Sequence, residues 1–322
     1  MQKLNPGRTN LAALNGNDKR LYEGVKVQMK IGLMDVDGHN FPNLALMKLS
    51  NWHKAKGDMV EWCIPMDRYD RVYMAKVFDF TPDINECIQA DEIIKGGTGY
   101  DLKNKLPADV EKMFPDYSLY DITDTAYGYL TRGCPRGCPF CIVAAKEGLR
   151  SYRVADLSDF WSGQRYIKLL DPNLLACKQR EYLLRQLIDS KAKVDFTQGL
   201  DIRLMTPDIT ELIKQLRLKM VHFAWDREKD SDIIIRNLEI FKKTTGIDRR
   251  KATVYVLTNF ETEFEFDLYR VYKLKELGYD PYIMIYDRDN APHRLKKMQR
   301  WVNNKIIFMS CDKFEDYSTK IG

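Results

Sequence analysis

No stretch of this chain approaches the roughly 18–20 consecutive apolar residues that a membrane-spanning helix needs. No span is therefore expected. The opening residues, Met1–Asn17, are polar and rich in Gly and Asn. They lack the apolar run of a secretory signal, and a soluble, cytoplasmic protein is the expectation. A strong charge of one sign is also missing. The formal net charge is +5, and the charges are scattered. That balance permits a nucleic-acid partner without arguing for one. The seven cysteines do not suggest a disulfide framework. Cys63, Cys87, Cys177 and Cys311 stand apart, and each is expected to be a buried thiol. Such usage fits a reducing compartment.

The other three cysteines sit together. Gly133-Cys134-Pro135-Arg136-Gly137-Cys138-Pro139-Phe140-Cys141 has C-x3-C-x2-C spacing. A loop this short brings three sulfurs to one point, and converging thiolates favour a soft metal or an iron–sulfur cluster. The two glycines reach backbone conformations closed to other residues. No fourth cysteine or histidine follows nearby. Structural zinc usually takes four protein ligands. Three cysteines leave one coordination position open.

The remainder reads as α/β. At 322 residues and 44% hydrophobic, the chain can build two domains or one large one. Residues 1–24 form a lead-in. Strands are expected at Val25–Val36, Met59–Ile64, Arg71–Phe78 and Asp91–Ile94, with a helix at Pro42–Lys56 stopped by Gly57. Residues 25–116 therefore read as a small Rossmann-like, doubly wound domain. From residue 117 to 322, strands and helices alternate. Strands are expected at Ala126–Thr131, Tyr166–Leu170, Val194–Gln198, Met220–Trp225, Ala252–Leu257 and Tyr282–Tyr286. Helices are expected at Gln179–Ala192, from Thr206-Pro207 to about Lys219, from Asp230 or Ser231 to Gly246, through about Leu277 and at Pro292–Val302. A last short strand is expected at Ile306–Ser310.

The cysteine loop resembles the signature of the radical S-adenosylmethionine superfamily, and the six strand–helix units match that family's partial (β/α)6 barrel. The resemblance covers roughly residues 117–310. It implies that Cys134, Cys138 and Cys141 hold a [4Fe-4S] cluster with one open iron that S-adenosylmethionine chelates. Phe140 fits the aromatic position whose backbone meets the adenine. The family's cofactor contacts lie past the strand ends, where such barrels place their sites. They map here onto Asp171, Asn173, Arg203, Asp226, Thr258 and Asn259, with Asp287 facing the substrate. Arg203 suits a carboxylate by its planar fork, with Asp201 or Asp208 as the alternative partner. The usual Gly-Gly-Glu is absent after the second strand. The chemistry implied is one-electron cleavage of the cofactor, followed by hydrogen abstraction from a C–H bond. A flavodoxin or ferredoxin would supply the electron.

The first domain is similar to the cobalamin-binding domain of one branch of that superfamily. Asp37-Gly38-His39-Asn40-Phe41-Pro42 partly matches a D-x-H-x-x-G loop, with Pro in place of the Gly. The resemblance implies a corrinoid near His39, Gly96 and Gly97, with radical methylation as the outcome. The alternative is an empty sheet that covers the barrel or recognises substrate. A rival from another class is a non-catalytic iron–sulfur or zinc module, a redox sensor or nucleic-acid binder. Lys146, Arg150 and Arg153 beside the cysteines suit it.

Overall fold

The computed structural model describes residues 28–38, 41–84 and 87–318. Its contacts divide the chain after Asp124 into two units. The first is built on a sheet of β1 (Lys30–Asp35), β2 (Met59–Trp62), β3 (Arg68–Ala75) and β4 (Gln89–Gly96). The strands run parallel in the order β2-β1-β3-β4. Helix α1 (Leu44–Lys56) crosses from β1 to β2. Asn43 starts it by accepting from the amides of Ala45 and Leu46, and Gly57 ends it at φ 87°. Those are the capping residues that helix ends favour. Leu46 and Leu49 bury against Ile31, Leu33 and Tyr73 of the sheet.

The sequence implies a doubly wound domain here, with helices on both faces. Among the described residues only α1 is a crossover helix. Residues 63–67 link β2 to β3 without one, and the described part of 76–88 forms turns and loops. The second face packs Met34, Tyr69, Val72 and Met74 against loop residues such as Ile84, Ile88 and Tyr100. Short α2 (Ala108–Glu111) follows β4.

The unit boundary falls eight residues past the expected one at 116, because residues 117–120 belong to the first unit. There Trp62 donates its indole N–H to the Leu119 carbonyl at 3.1 Å, and the Tyr120 hydroxyl donates to Asp35 at 2.6 Å.

The second unit holds β5 (Thr125–Gly128), β8 (Tyr166–Leu169), β9 (Lys193–Phe196), β10 (Arg217–Ala224), β11 (Ala252–Thr258) and β12 (Asp280–Ile285) in one parallel sheet. A hairpin of β6 (Thr131–Arg132) and β7 (Tyr152–Arg153) flanks α3 (Val143–Glu147). The helices are α4 (Arg180–Ser190), α5 (Pro207–Lys214), α6 (Ser231–Thr245), α7 (Phe264–Glu276), α8 (His293–Asn303) and α9 (Lys305–Ser310). The sheet order is β5-β8-β9-β10-β11-β12, strictly sequential. Each crossover steps one strand in the same direction. Right-handed crossovers then place α4 to α7 on a single face. Phe223 of β10 meets Phe241 of α6 edge-on at 5.1 Å, which marks that face. Ile167, Val194, Val221, Val254 and Ile283 are fully buried there.

Three expectations shift in this unit. The segment 306–310 is helix rather than strand, because the Asn304 side chain accepts from the amides of Ile306 and Ile307 and nucleates a turn. Phe308 then packs on Trp301 at 5.0 Å. Helix α5 begins as expected, with Thr206 as cap and Pro207 at the first position, but stops at Lys214. β10 starts at Arg217, earlier than the sequence suggests.

Candidate functional site

The cysteine loop leaves β6 through Gly133. At φ 76° this position disfavours any side chain, and a Cβ would lie 2.1 Å from the Arg150 carbonyl oxygen. Only glycine lets the hairpin pass this close. The Cys134 amide donates to the Gly148 carbonyl, and the Cys141 amide closes a turn onto Cys138. All three are free thiols; Cys134 and Cys138 are half-buried and Cys141 is exposed. Burial pushes the Cys141 thiol up from its ordinary range, and the charges of Cys138, Cys134 and Asp226 push it further. The three sulfurs are thus near enough to interact electrostatically.

Among the described residues no three His, Cys, Asp or Glu side chains converge tightly enough to hold one metal ion. Thiolates on a single tetrahedral ion sit about 3.8 Å apart, from a metal–sulfur bond of about 2.3 Å. Three thiols without an imidazole are a donor set that a soft metal or an iron–sulfur cluster accepts.

Loops after four strands meet this one, and the loop after a fifth meets one of those. Asn173, past β8, directs its side-chain amide to the Cys134 sulfur at 3.5 Å and to Asp201 at 3.3 Å. Asp201, past β9, takes Arg203 on both oxygens at 2.7 Å. Arg203 also donates to Asp230 at 2.7 Å, past β10. Arg136, from within the cysteine loop, lies 3.6 Å from Asp201 and 3.2 Å from Asp230. Two arginines and two aspartates thus form one network. Phe140 meets Phe260, past β11, edge-on at 5.2 Å, and Phe260 meets Tyr286, past β12, at 4.9 Å. The loop therefore lies across the carboxyl ends of the sheet.

The other expected residues have mixed placements. Asp171 is buried and accepts from the Leu130 and Thr131 amides and the Thr131 hydroxyl. Burial pushes its carboxyl up to about 6. It fastens the root of the cysteine loop to β8. Asp226 is half-buried; burial pushes its carboxyl up, while Arg270 and Arg136 pull it back. Arg270 itself is fully buried and bonds to the Trp225 and Leu257 carbonyls and to Asp267. It ties the ends of β10 and β11. Thr258 is buried, and its hydroxyl lies 3.4 Å from the Met284 carbonyl. Asn259, at φ 62°, donates to the Tyr286 carbonyl at 2.8 Å. Asp287 is exposed and accepts from Asn290 at 3.0 Å. Arg203 takes the Asp201 partnership that the sequence offers as its alternative.

In the first unit His39 lies outside the described residues. Gly96 ends β4 opposite Ala75. Gly97 has φ 93°, and a Cβ there would sit 2.3 Å from the Lys76 carbonyl oxygen. Its missing side chain makes room for main chain of the same unit. Asp37 accepts from the amides of Val77 and Phe78, which binds the loop after β1 to the loop after β3. Of the four isolated cysteines only Cys177 is buried; Cys63 and Cys311 are half-buried and Cys87 is exposed.

Arg136, Asp201 and Asp230 join the site without having been expected there as cofactor residues. The open face of the second sheet is a further surprise. Tyr166 and Lys168 of β8, Lys193 and Asp195 of β9, and His222 of β10 alternate with buried residues and are themselves half-buried. Tyr255 of β11 is half-buried and Tyr282 of β12 is exposed. Parallel strands covered on both faces read as continuous apolar runs. The alternation in Tyr-Ile-Lys-Leu and Lys-Val-Asp-Phe was the available signal. No known protein family and no characterised protein matches the chain in sequence.

Proposed function

We propose that this chain is a radical S-adenosylmethionine enzyme whose second unit is a partial (β/α)6 barrel. The observation that carries the reading is the docking of the three-cysteine loop across the strand ends. Asn173, Asp201, Asp230 and Phe260 follow four successive strands. In a flat sheet those ends would span about 14 Å, three spacings of about 4.8 Å. One loop with a closed turn between Cys138 and Cys141 meets all four. Strand ends drawn together by curvature allow that. Sites in such barrels gather at the carboxyl end.

Cys134, Cys138 and Cys141 would hold the [4Fe-4S] cluster. When bound, the cluster and S-adenosylmethionine supply one-electron cleavage that yields a 5′-deoxyadenosyl radical able to take hydrogen from a C–H bond. The protein's part is placement and exclusion of water. Asn173 donates to one sulfur and holds Asp201 in place. Asp226, close enough for its charge to act on Cys141, and the backbone around Phe140 would take the cofactor, while Thr258 and Asn259 tie the ends of β11 and β12 beside them. Arg136 and Arg203 form one positive edge, whose carboxylate partners a bound carboxylate would replace in part. A corrinoid near His39, Gly96 and Gly97, as the likeness of the first domain implies, would make radical methylation the outcome. An external one-electron donor such as a flavodoxin or ferredoxin is required.

The test is anaerobic reconstitution. About four irons per chain should bind, and dithionite should release 5′-deoxyadenosine. Replacing Cys134, Cys138 or Cys141 with Ala should abolish both, while Cys177→Ala should leave both. Stoichiometric zinc without iron, or a cluster that never cleaves the cofactor, would favour a non-catalytic module.

A further inference from the structure

The open face of the second sheet has a composition that catalysis at the cysteine loop does not explain. Near its amino end, Tyr166 is ringed by cations. The Lys219 and Lys193 ammonium groups lie 5.0 and 5.7 Å from its ring centre, and the Arg165 guanidinium 5.3 Å. One step further along, the Lys168 ammonium sits 5.4 Å from the Tyr127 ring. Beyond β9 the face becomes aromatic. His222 stacks on Tyr255 at 5.1 Å with the rings 6° from parallel, and Tyr255 meets Tyr282 edge-on at 5.8 Å. Asp195 is the acidic side chain set among these groups; burial pushes its carboxyl up, and His222, Lys168 and Lys219 are close enough to pull it part of the way back.

We propose that this face is a groove for single-stranded nucleic acid, lying along the strands from the Tyr166 cations to the cysteine loop. Lysines that can pair with phosphates, interleaved with rings that can stack on bases, are what such grooves need. Length argues for a strand rather than a mononucleotide. Tyr166 and Asp171 are five residues apart along β8, or about 17 Å at about 3.3 Å per residue. One nucleotide cannot touch the Tyr166 cluster and present an atom beside Cys134. A chain of several nucleotides can. The substrate class rests on the enzyme reading above, but the groove itself does not.

Both can be tested on the intact protein. Fluorescence anisotropy would follow a labelled single strand of about 12 nucleotides, as RNA and as DNA. Release of 5′-deoxyadenosine would be measured in parallel. The double variant Lys193→Glu, Lys219→Glu should weaken binding at least about tenfold. It should also make the slope of log affinity against log salt shallower, by about 0.7 for each phosphate no longer neutralised. Tyr166→Ala and Tyr282→Ala should each weaken binding about tenfold. All these variants should keep reductive release of 5′-deoxyadenosine, since none touches the cysteine loop. Tighter binding of RNA or of DNA identifies the sugar and supports the proposal either way. Equal affinity for heparin would overturn it, because heparin has no bases to stack. So would unchanged affinity in the charge-reversal variant, or absence of binding to either strand. Binding without any release of 5′-deoxyadenosine would leave the groove standing and remove the enzyme reading instead.

Discussion

Asn173 illustrates the site at the scale of one residue. Its side chain donates to the Cys134 sulfur and to Asp201, and its side-chain oxygen accepts from the Ala176 amide. An N–H aimed at a cluster thiolate stabilises the more negative, reduced state. In the proposed enzyme, Asn173→Leu should therefore lower the midpoint potential of the reconstituted cluster, read by potentiometric titration with paramagnetic resonance. Iron content should stay the same. An unchanged potential would mean that the amide does not act on the sulfur. The position was legible in the sequence as a polar residue past a strand. Its partner was not, because a separation of 39 positions between Cys134 and Asn173 leaves no local signal of their meeting.

At the scale of the element, α1 carries a buried titratable group. His53 lies 2.6 Å from Asp58 and 3.0 Å from the Tyr73 hydroxyl. Burial pulls its pKa below the ordinary 6.5, against the pull of Asp58. The unfolded chain therefore takes up the proton first as pH falls. The stability His53 contributes is full above about pH 6.5 and declines below it, toward the lower folded value. Melting of the intact protein should show this decline between about pH 7.5 and 5. His53→Phe should remove that part of the slope. An identical pH profile in the variant would show that His53 does not titrate with folding. The ends of α1 were readable in advance, because Asn43 and Gly57 act within a few residues of themselves.

At the scale of the whole molecule, the chain divides into two units after Asp124, and residues 117–120 lie with the first. Tyr120 reaches back 85 residues to Asp35 and also meets Trp62 edge-on at 5.0 Å. Tyr120→Phe in the full chain should keep the ring packing and remove the hydrogen bond. The expected cost is about 1.5–3 kcal/mol, the range for losing a hydrogen bond to a charged group. Differential scanning calorimetry should show one transition shifted earlier and the other unmoved. Equal shifts of both would mean that the units unfold as one.

The sequence alone determined what depends on neighbours along the chain. It held the cysteine spacing, the Thr206-Pro207 and Asn43 helix starts, the Gly57 and Gly246 stops, and the alternation of strands and helices. Each follows from capping, backbone freedom or side-chain period. Tertiary structure decided what depends on which strand ends come together. It paired Arg203 with Asp201 and Asp230 and brought in Arg136. It set the Lys76 main chain against Gly97. Among the described residues of the second unit, it left the Tyr166, Lys168 and Tyr255 side of the sheet without the helices that cover the other side. Those choices depend on contacts between residues tens of positions apart, and only the open face left a local trace, in the alternation of β8 and β9.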